Sequence, residues 1–163
     1  VKILFVCHGG VGRSQMGSAF YNAMTNTNNA EAAATDMVHL NPGAKTIREW
    51  EIENDRKSSA NQVMGEIGLS TIEAKRMQLT HGMLNQYDLV INIAAREQTP
   101  DWLRGDNVVW WDMPDPGFAH TIDEVLQTRD KIKERVALLV DLEKTGGDLH
   151  SLDDNIDAED GNG

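Results

Sequence analysis

Apolar and polar positions along this chain switch between a two-residue and a three-to-four-residue period, and the switches mark its elements. Lys2-Ile-Leu-Phe-Val6 is a short run of strand formers ending at a Gly-rich segment, which predicts a strand. From Ser14 to about Asn26, Met16, Ala19, Phe20, Ala23 and Met24 recur on one helical face, with Gly17 as a weak point in it. Residues 31–38 read as a poor, Ala-rich strand closing with Met37-Val38. Asn41-Pro42-Gly43 is a turn, and the polar stretch after it, up to residue 62, reads as a helical insertion or a flap. Gln62 to Leu69 and residues 72–84 both carry helix-like patterns.

The second half is clearer. Asp88-Leu-Val-Ile-Asn-Ile93 is a continuous β-branched run of the kind found in sheets buried on both faces. Asn107 to Trp111 predicts a further strand, after a short turn or helix at Thr99 to Leu103. Met113-Pro-Asp-Pro-Gly117 must be a loop, because two prolines do not fit a regular element there. Thr121 and Glu124 form a capping box, and Ile122, Val125, Leu126, Ile132, Val136, Leu139 and Val140 line one helical face before Gly146 stops it. Strands alternating with helices predict an α/β fold, a parallel sheet with helices on both sides.

Composition narrows the functional classes. A chain of 163 residues, 40% hydrophobic and 25% charged, suits one globular domain. We assign residues 1–145 to that domain and 146–163 to an acidic, flexible tail, since Asp148, Asp153, Asp154, Asp157, Glu159 and Asp160 stand there without a Lys or Arg. No apolar run nears the roughly 20 residues that span a bilayer. The first apolar run is too short for a signal-peptide core, so a cytoplasmic location is expected; the sequence starts at Val1 rather than Met, which leaves open a leader removed earlier. A net charge of −11 disfavours nucleic acid and anionic membrane as partners. It also repels phosphorylated substrates at long range, so any anion site must be built locally.

One segment has the means to build it. Cys7-His8-Gly9-Gly10-Val11-Gly12-Arg13-Ser14 joins the first strand to the first helix. Loops at the carboxyl ends of parallel strands are where open α/β sheets bind ligands. Three glycines in four positions permit positive φ, so that the N–H groups of His8 to Ser14 can form an anion nest, and the helix adds its own N-terminal N–H groups and dipole. Arg13 offers a planar fork for two oxygens of a tetrahedral oxyanion. A lone cysteine is ordinarily a small buried apolar residue. Beside such a loop, Cys7 becomes an activated nucleophile, and Ser14 is placed to donate to its thiolate. The Gly pattern fits neither a dinucleotide fingerprint nor a P-loop. No metal-ligand spacing is visible and no cofactor is called for.

The segment Cys7 to Met16 resembles the active-site loop of the low-molecular-weight protein tyrosine phosphatase and arsenate reductase superfamily, usually C-x-G-N-x-C-R-S. The resemblance extends through Tyr87 to Ile91 and Asp115-Pro116 to the last helix, and is weakest at 43–62. It implies a flavodoxin-like, three-layer α-β-α fold, with a four-stranded parallel sheet, the phosphatase loop after strand 1 and a covalent phosphocysteine intermediate. It implies Asp115 as the general acid. Asp112 competes for that role and ranks second because Pro116 directly follows Asp115. Two loop residues depart from the pattern. The usual Asn is Gly10, so the hydrogen bonds that brace the loop are absent or rebuilt. The frequent second Cys is Gly12, so no intraloop disulfide forms. Ala32 to Ala34 stand near where relatives often show Ser-Ala-Gly.

Phe118 and Trp50 are each read either as an aromatic at the site rim or as a packing residue, and His8 and His81 as structural or solvent-facing. The leading expectation is a phosphatase acting on phosphotyrosine-containing protein or a small phosphomonoester. The alternatives are an arsenate reductase using an external low-molecular-weight thiol, suggested by Arg13-Ser14-Gln15-Met16, and a non-catalytic protein that binds phosphate or another oxyanion. A relay of cysteines is impossible with Cys7 alone.

Overall fold

The computed structural model describes residues 1–37, 45–113 and 121–154. Four strands, β1 (Ile3–Cys7), β2 (Ala30–Ala34), β3 (Leu89–Asn92) and β4 (Val108–Trp110), form one sheet in the order β2-β1-β3-β4, with every pair parallel. The helices are α1 (Arg13–Thr25), α2 (Ile47–Asn54), α3 (Ser59–Gly65) and α4 (Ile122–Thr145). This is the expected flavodoxin-like α/β arrangement. Among the described residues no helix is long and apolar enough to cross a membrane.

The strand at the centre shows why the run at residues 2–6 is apolar throughout. Ile3 and Phe5 pack on α1, α3 and α4, while Leu4 and Val6 pack against Leu79, Leu84, Tyr87 and Leu103 on the other face. With both faces covered, no polar position is allowed in β1. Gly17 is a requirement of this packing: a β-carbon there would lie 2.5 Å from Phe5 Cδ1. The roughly 1 kcal/mol that glycine costs a helix is offset by bringing α1 down onto β1. The polar face of α1 then pins β2: Ser18 Oγ and Asn22 Nδ2 donate to Ala30 O at 3.1 and 3.0 Å, and Asn22 Oδ1 accepts from Ala30 N–H.

One sequence expectation changes. Residues 72–80 are not helical: Ile72 and Glu73 turn, Lys75 and Gln78 form isolated bridges to Thr46 and Ala34, and His81–Gln86 is a 3-10 helix. Residues 72–76 bond to residues 45–48 at the start of α2, and the next residues bond to the end of β2: Ala34 N–H donates to Met77 O at 2.8 Å and Leu79 N–H to Ala34 O at 2.7 Å. The stretch before residue 62 does contain helix, namely α2 and the start of α3, each with a side-chain cap from Thr46 and Ser58. Of the acidic segment that follows Gly146, the described residues up to Asp154 pack on the rest of the chain. Leu149–Leu152 forms a 3-10 turn whose leucines pack on the core. Arg135 Nη2 holds Asp154 at 2.7 and 2.8 Å, and Asp153 and Asp154 accept N–H bonds from Trp110 and Asp112. Acidic composition hid this, because the compensating cation lies on α4. Residues 155–163 lie outside the described residues.

α4 has the expected Thr121–Glu124 capping box and a left-handed Gly146 cap. Its buried line is Val125, Ile132, Val136, Leu139 and Val140; Ile122, placed on that line by periodicity, is exposed.

Candidate active site

β1 delivers Cys7 to the carboxyl edge of the sheet, where it is 3% exposed. Cys7 and His8 remain tied to the chain beyond β2, their carbonyls accepting from Thr35 and Asp36 N–H at 2.9 and 3.0 Å. The loop then turns at Gly10, with φ +69°, and reaches α1 through Gly12. α1 carries no acidic residue in its first turn, so its N-terminal N–H groups and dipole favour an external anion.

The sulfur of Cys7 and Oγ of Ser14 lie 3.0 Å apart, with Ser14 fully buried. Once the thiol is ionised, the hydroxyl is the donor of this pair. Arg13 is 5% exposed, and its Nη1 donates to Ile93 O at 2.8 Å and Met113 O at 3.1 Å. Those two carbonyls end β3 and lead out of β4, so the guanidinium is anchored across the same edge of the sheet as Cys7. Asn92 sets the first of them: its Oδ1 accepts from Ala94 N–H at 2.9 Å and its Nδ2 donates to Thr99 Oγ1 at 3.0 Å.

Side chains that the sequence did not single out hold the loop carbonyls. Gln15 Nε2 donates to Gly10 O and to Lys75 O, both at 3.1 Å. Arg76 Nη2 donates to Gly9 O at 2.9 Å. The C=O and N–H of a trans peptide point in opposite directions, so holding these carbonyls fixes the Gly10 and Val11 N–H directions as well. Burial draws the Arg76 guanidinium below its ordinary value, while the negative charges of Cys7 and Glu53 push it back up.

The remaining candidates divide. His8 Nδ1 is 3.3 Å from Thr35 Oγ1, a structural contact. His81 stacks on Trp102 with ring centroids 5.1 Å apart. Trp50 is buried, with Arg56 over its ring at 5.2 Å. Asp112 is exposed, and its N–H is taken by Asp154. Asp115, Pro116 and Phe118 lie outside the described residues. Among the described residues no group of three or more His, Cys, Asp or Glu side chains is arranged to hold a metal ion.

No family model and no curated protein matches the chain. Solved structures do. An arsenate reductase from Archaeoglobus fulgidus is 26% identical over 85% of this chain and 98% of its own, with a TM-score of 0.63. A low-molecular-weight protein tyrosine phosphatase from Bacillus subtilis is 23% identical over 88% and 98%, at 0.64. Wzb from Vibrio vulnificus, in complex with benzylphosphonate, is 18% identical over 84% and 94%, at 0.66. The fold is that of the low-molecular-weight phosphatase and arsenate reductase superfamily.

Of the two departures from the superfamily's loop pattern, the one at Gly10 has a structural counterpart. A β-carbon at Gly10 would stand 2.9 Å from Ala34 Cβ, so this contact accommodates only one β-carbon. The bracing of the loop is rebuilt from Gln15 and Arg76. Arg76 was hidden because residues 72–84 carry a helix-like pattern in the sequence; the segment is not helical at Arg76, which is buried.

Proposed function

We propose that this chain is a cysteine-dependent phosphatase of the low-molecular-weight protein tyrosine phosphatase type. The observation that carries it is the Cys7 sulfur, buried at the end of β1 and 3.0 Å from a hydroxyl on the first turn of α1, under a loop whose carbonyls are held by side chains. In this reading Cys7 Sγ attacks phosphorus, the ester P–O bond breaks, and the leaving oxygen takes the proton of the Asp115 carboxyl group. The N–H groups of His8 to Ser14 and the Arg13 guanidinium hold the equatorial oxygens. Asp115, now a carboxylate, takes a proton from water; the water oxygen attacks phosphorus, the P–S bond breaks and phosphate leaves. The cycle calls for no cofactor or metal. Asp115 is preferred to Asp112 as the acid because Pro116 follows it directly, as in the superfamily's Asp-Pro motif. Benzylphosphonate, bound by the Vibrio vulnificus neighbour, joins a tetrahedral phosphorus oxyanion to a phenyl ring, which supports an aryl phosphomonoester such as phosphotyrosine as substrate.

A second reading is favoured by the Arg13-Ser14-Gln15-Met16 signature and by the 26% identity with an arsenate reductase. With Cys7 as its one cysteine, the chain would then need an external low-molecular-weight thiol as reductant. Metal-free turnover of p-nitrophenyl phosphate, beside Cys7→Ser and Asp115→Asn, separates the two. Turnover abolished by the first change and much reduced by the second supports the phosphatase. No turnover by the intact, reduced protein overturns it and moves the assay to arsenate with a small thiol, and then to oxyanion binding alone.

A further inference from the structure

Arg76 has no part in the chemistry set out above, yet it is among the most enclosed charges in the molecule, at 4% exposure. The stretch that bears it is clamped from three sides. Arg76 N–H donates to Lys45 O at 2.8 Å, Lys75 O accepts from Gln15 Nε2, and Met77 O accepts from Ala34 N–H. The guanidinium thus has a set position, and it meets the loop at the Gly9 carbonyl. A cation taken out of water is costly unless negative charge compensates it. Glu53, exposed at the end of α2, and Cys7 are among the groups whose negative charge acts on Arg76. Arg13 and Arg76 therefore bracket the loop, one anchored on the β3 and β4 side and the other on the β2 side.

We propose that Arg76 is a positioning residue of the anion loop, holding the Gly9 carbonyl in place and setting a second buried guanidinium against the loop that Cys7 begins, so that a loop lacking the usual Asn still holds a thiolate together with an oxyanion. This rests on reading Cys7 as the nucleophile of an oxyanion site, and holds whether the oxyanion is a phosphate ester or arsenate. It also accounts for a site that draws anions in a chain of net charge −11.

The test compares the intact protein with Arg76→Gln and Arg76→Lys, following Cys7 alkylation by iodoacetamide at one mildly acidic pH and its protection by inorganic phosphate. Glutamine can still donate to Gly9 O but carries no charge; lysine keeps the charge. Arg76→Gln is expected to alkylate more slowly and to need about tenfold more phosphate for half-protection. Arg76→Lys is expected to stay within about threefold of the intact protein in both. An Arg76→Gln protein with unchanged thermal unfolding, alkylation and protection overturns the proposal, as does an Arg76→Lys protein that loses as much as Arg76→Gln. Should Arg76→Gln not fold, Arg76→Lys decides alone: retained protection supports the role and lost protection overturns it. Turnover of p-nitrophenyl phosphate is read separately. Its absence in an intact protein whose Cys7 is still protected by phosphate removes the phosphatase reading and leaves the role of Arg76 standing.

Discussion

Gly10 and Ala34 share a contact with room for one β-carbon. A β-carbon on Gly10 would come within 2.9 Å of Ala34 Cβ, and Gly10 sits at φ +69°. Asn tolerates that backbone conformation better than most residues, so the obstacle to the usual loop residue is chiefly the methyl group opposite. Gly10→Asn alone is expected to destabilise the protein by about 1–3 kcal/mol, as overpacking does, and to slow Cys7 alkylation. Adding Ala34→Gly is expected to restore most of both. Urea unfolding and alkylation of the single and double variants check this; a double variant no better than Gly10→Asn would refute the compensation.

Ser14 Oγ is the near hydroxyl partner of the Cys7 sulfur, at 3.0 Å. A hydrogen bond to a charged group is worth about 1.5–3 kcal/mol, so Ser14→Ala is expected to reduce Cys7-dependent turnover roughly 10- to 100-fold. Thermal unfolding should change little, because the methyl group fills most of the same space. Equal turnover in the variant would mean that the thiolate does not depend on this hydroxyl.

Both tyrosines of the chain are held in the neutral form. Tyr87 is pushed up from 10.0 to about 12, first by burial and then by the bond it donates to Glu31 at 2.9 Å and the charge of that carboxylate. Tyr21 is raised further by the same causes, with Glu143 as its acceptor at 2.6 Å. The folded value of Tyr87 lies above the unfolded one, so its contribution to stability is fully present below pH 10.0 and is lost as pH rises toward about 12. Absorbance titration of the native protein should show little tyrosinate near pH 10.0, and stability should fall beyond it. Tyr87→Phe should flatten that fall. Tyrosinate appearing at the free-tyrosine pH with the fold intact would contradict it.

The docked end of the chain should matter beyond its own residues. Arg135 Nη1 donates to Leu152 O at 2.9 Å and Nη2 to both oxygens of Asp154, which in turn caps Asp112 N–H at the exit of β4. The pair is partly exposed, so Arg135→Ala is expected to cost about 1–2 kcal/mol in urea unfolding. Limited proteolysis between 147 and 154 should accelerate. Unchanged protease resistance would show that the leucine packing alone holds the segment.

What the sequence determined by itself is local. Three of the four strands, α1, α4 with both its caps, and the strand-loop-helix bearing Cys7, Arg13 and Ser14 were all legible, because periodicity, capping boxes and glycine placement act within a few residues of chain. The poorest strand, β2, was weak in the sequence because its alanines are selected for close approach to α1 and to Gly10, a constraint that lies on other elements. Tertiary structure alone decided that 72–80 is not helical and that 77–79 runs along the end of β2, that Gly17 is demanded by the Phe5 ring, that the acidic segment docks on Arg135, and that Gln15 and Arg76 brace the loop. Each of these couples residues far apart in the chain, and a hydrogen bond or a contact between such residues leaves no period in the sequence from which it could be read.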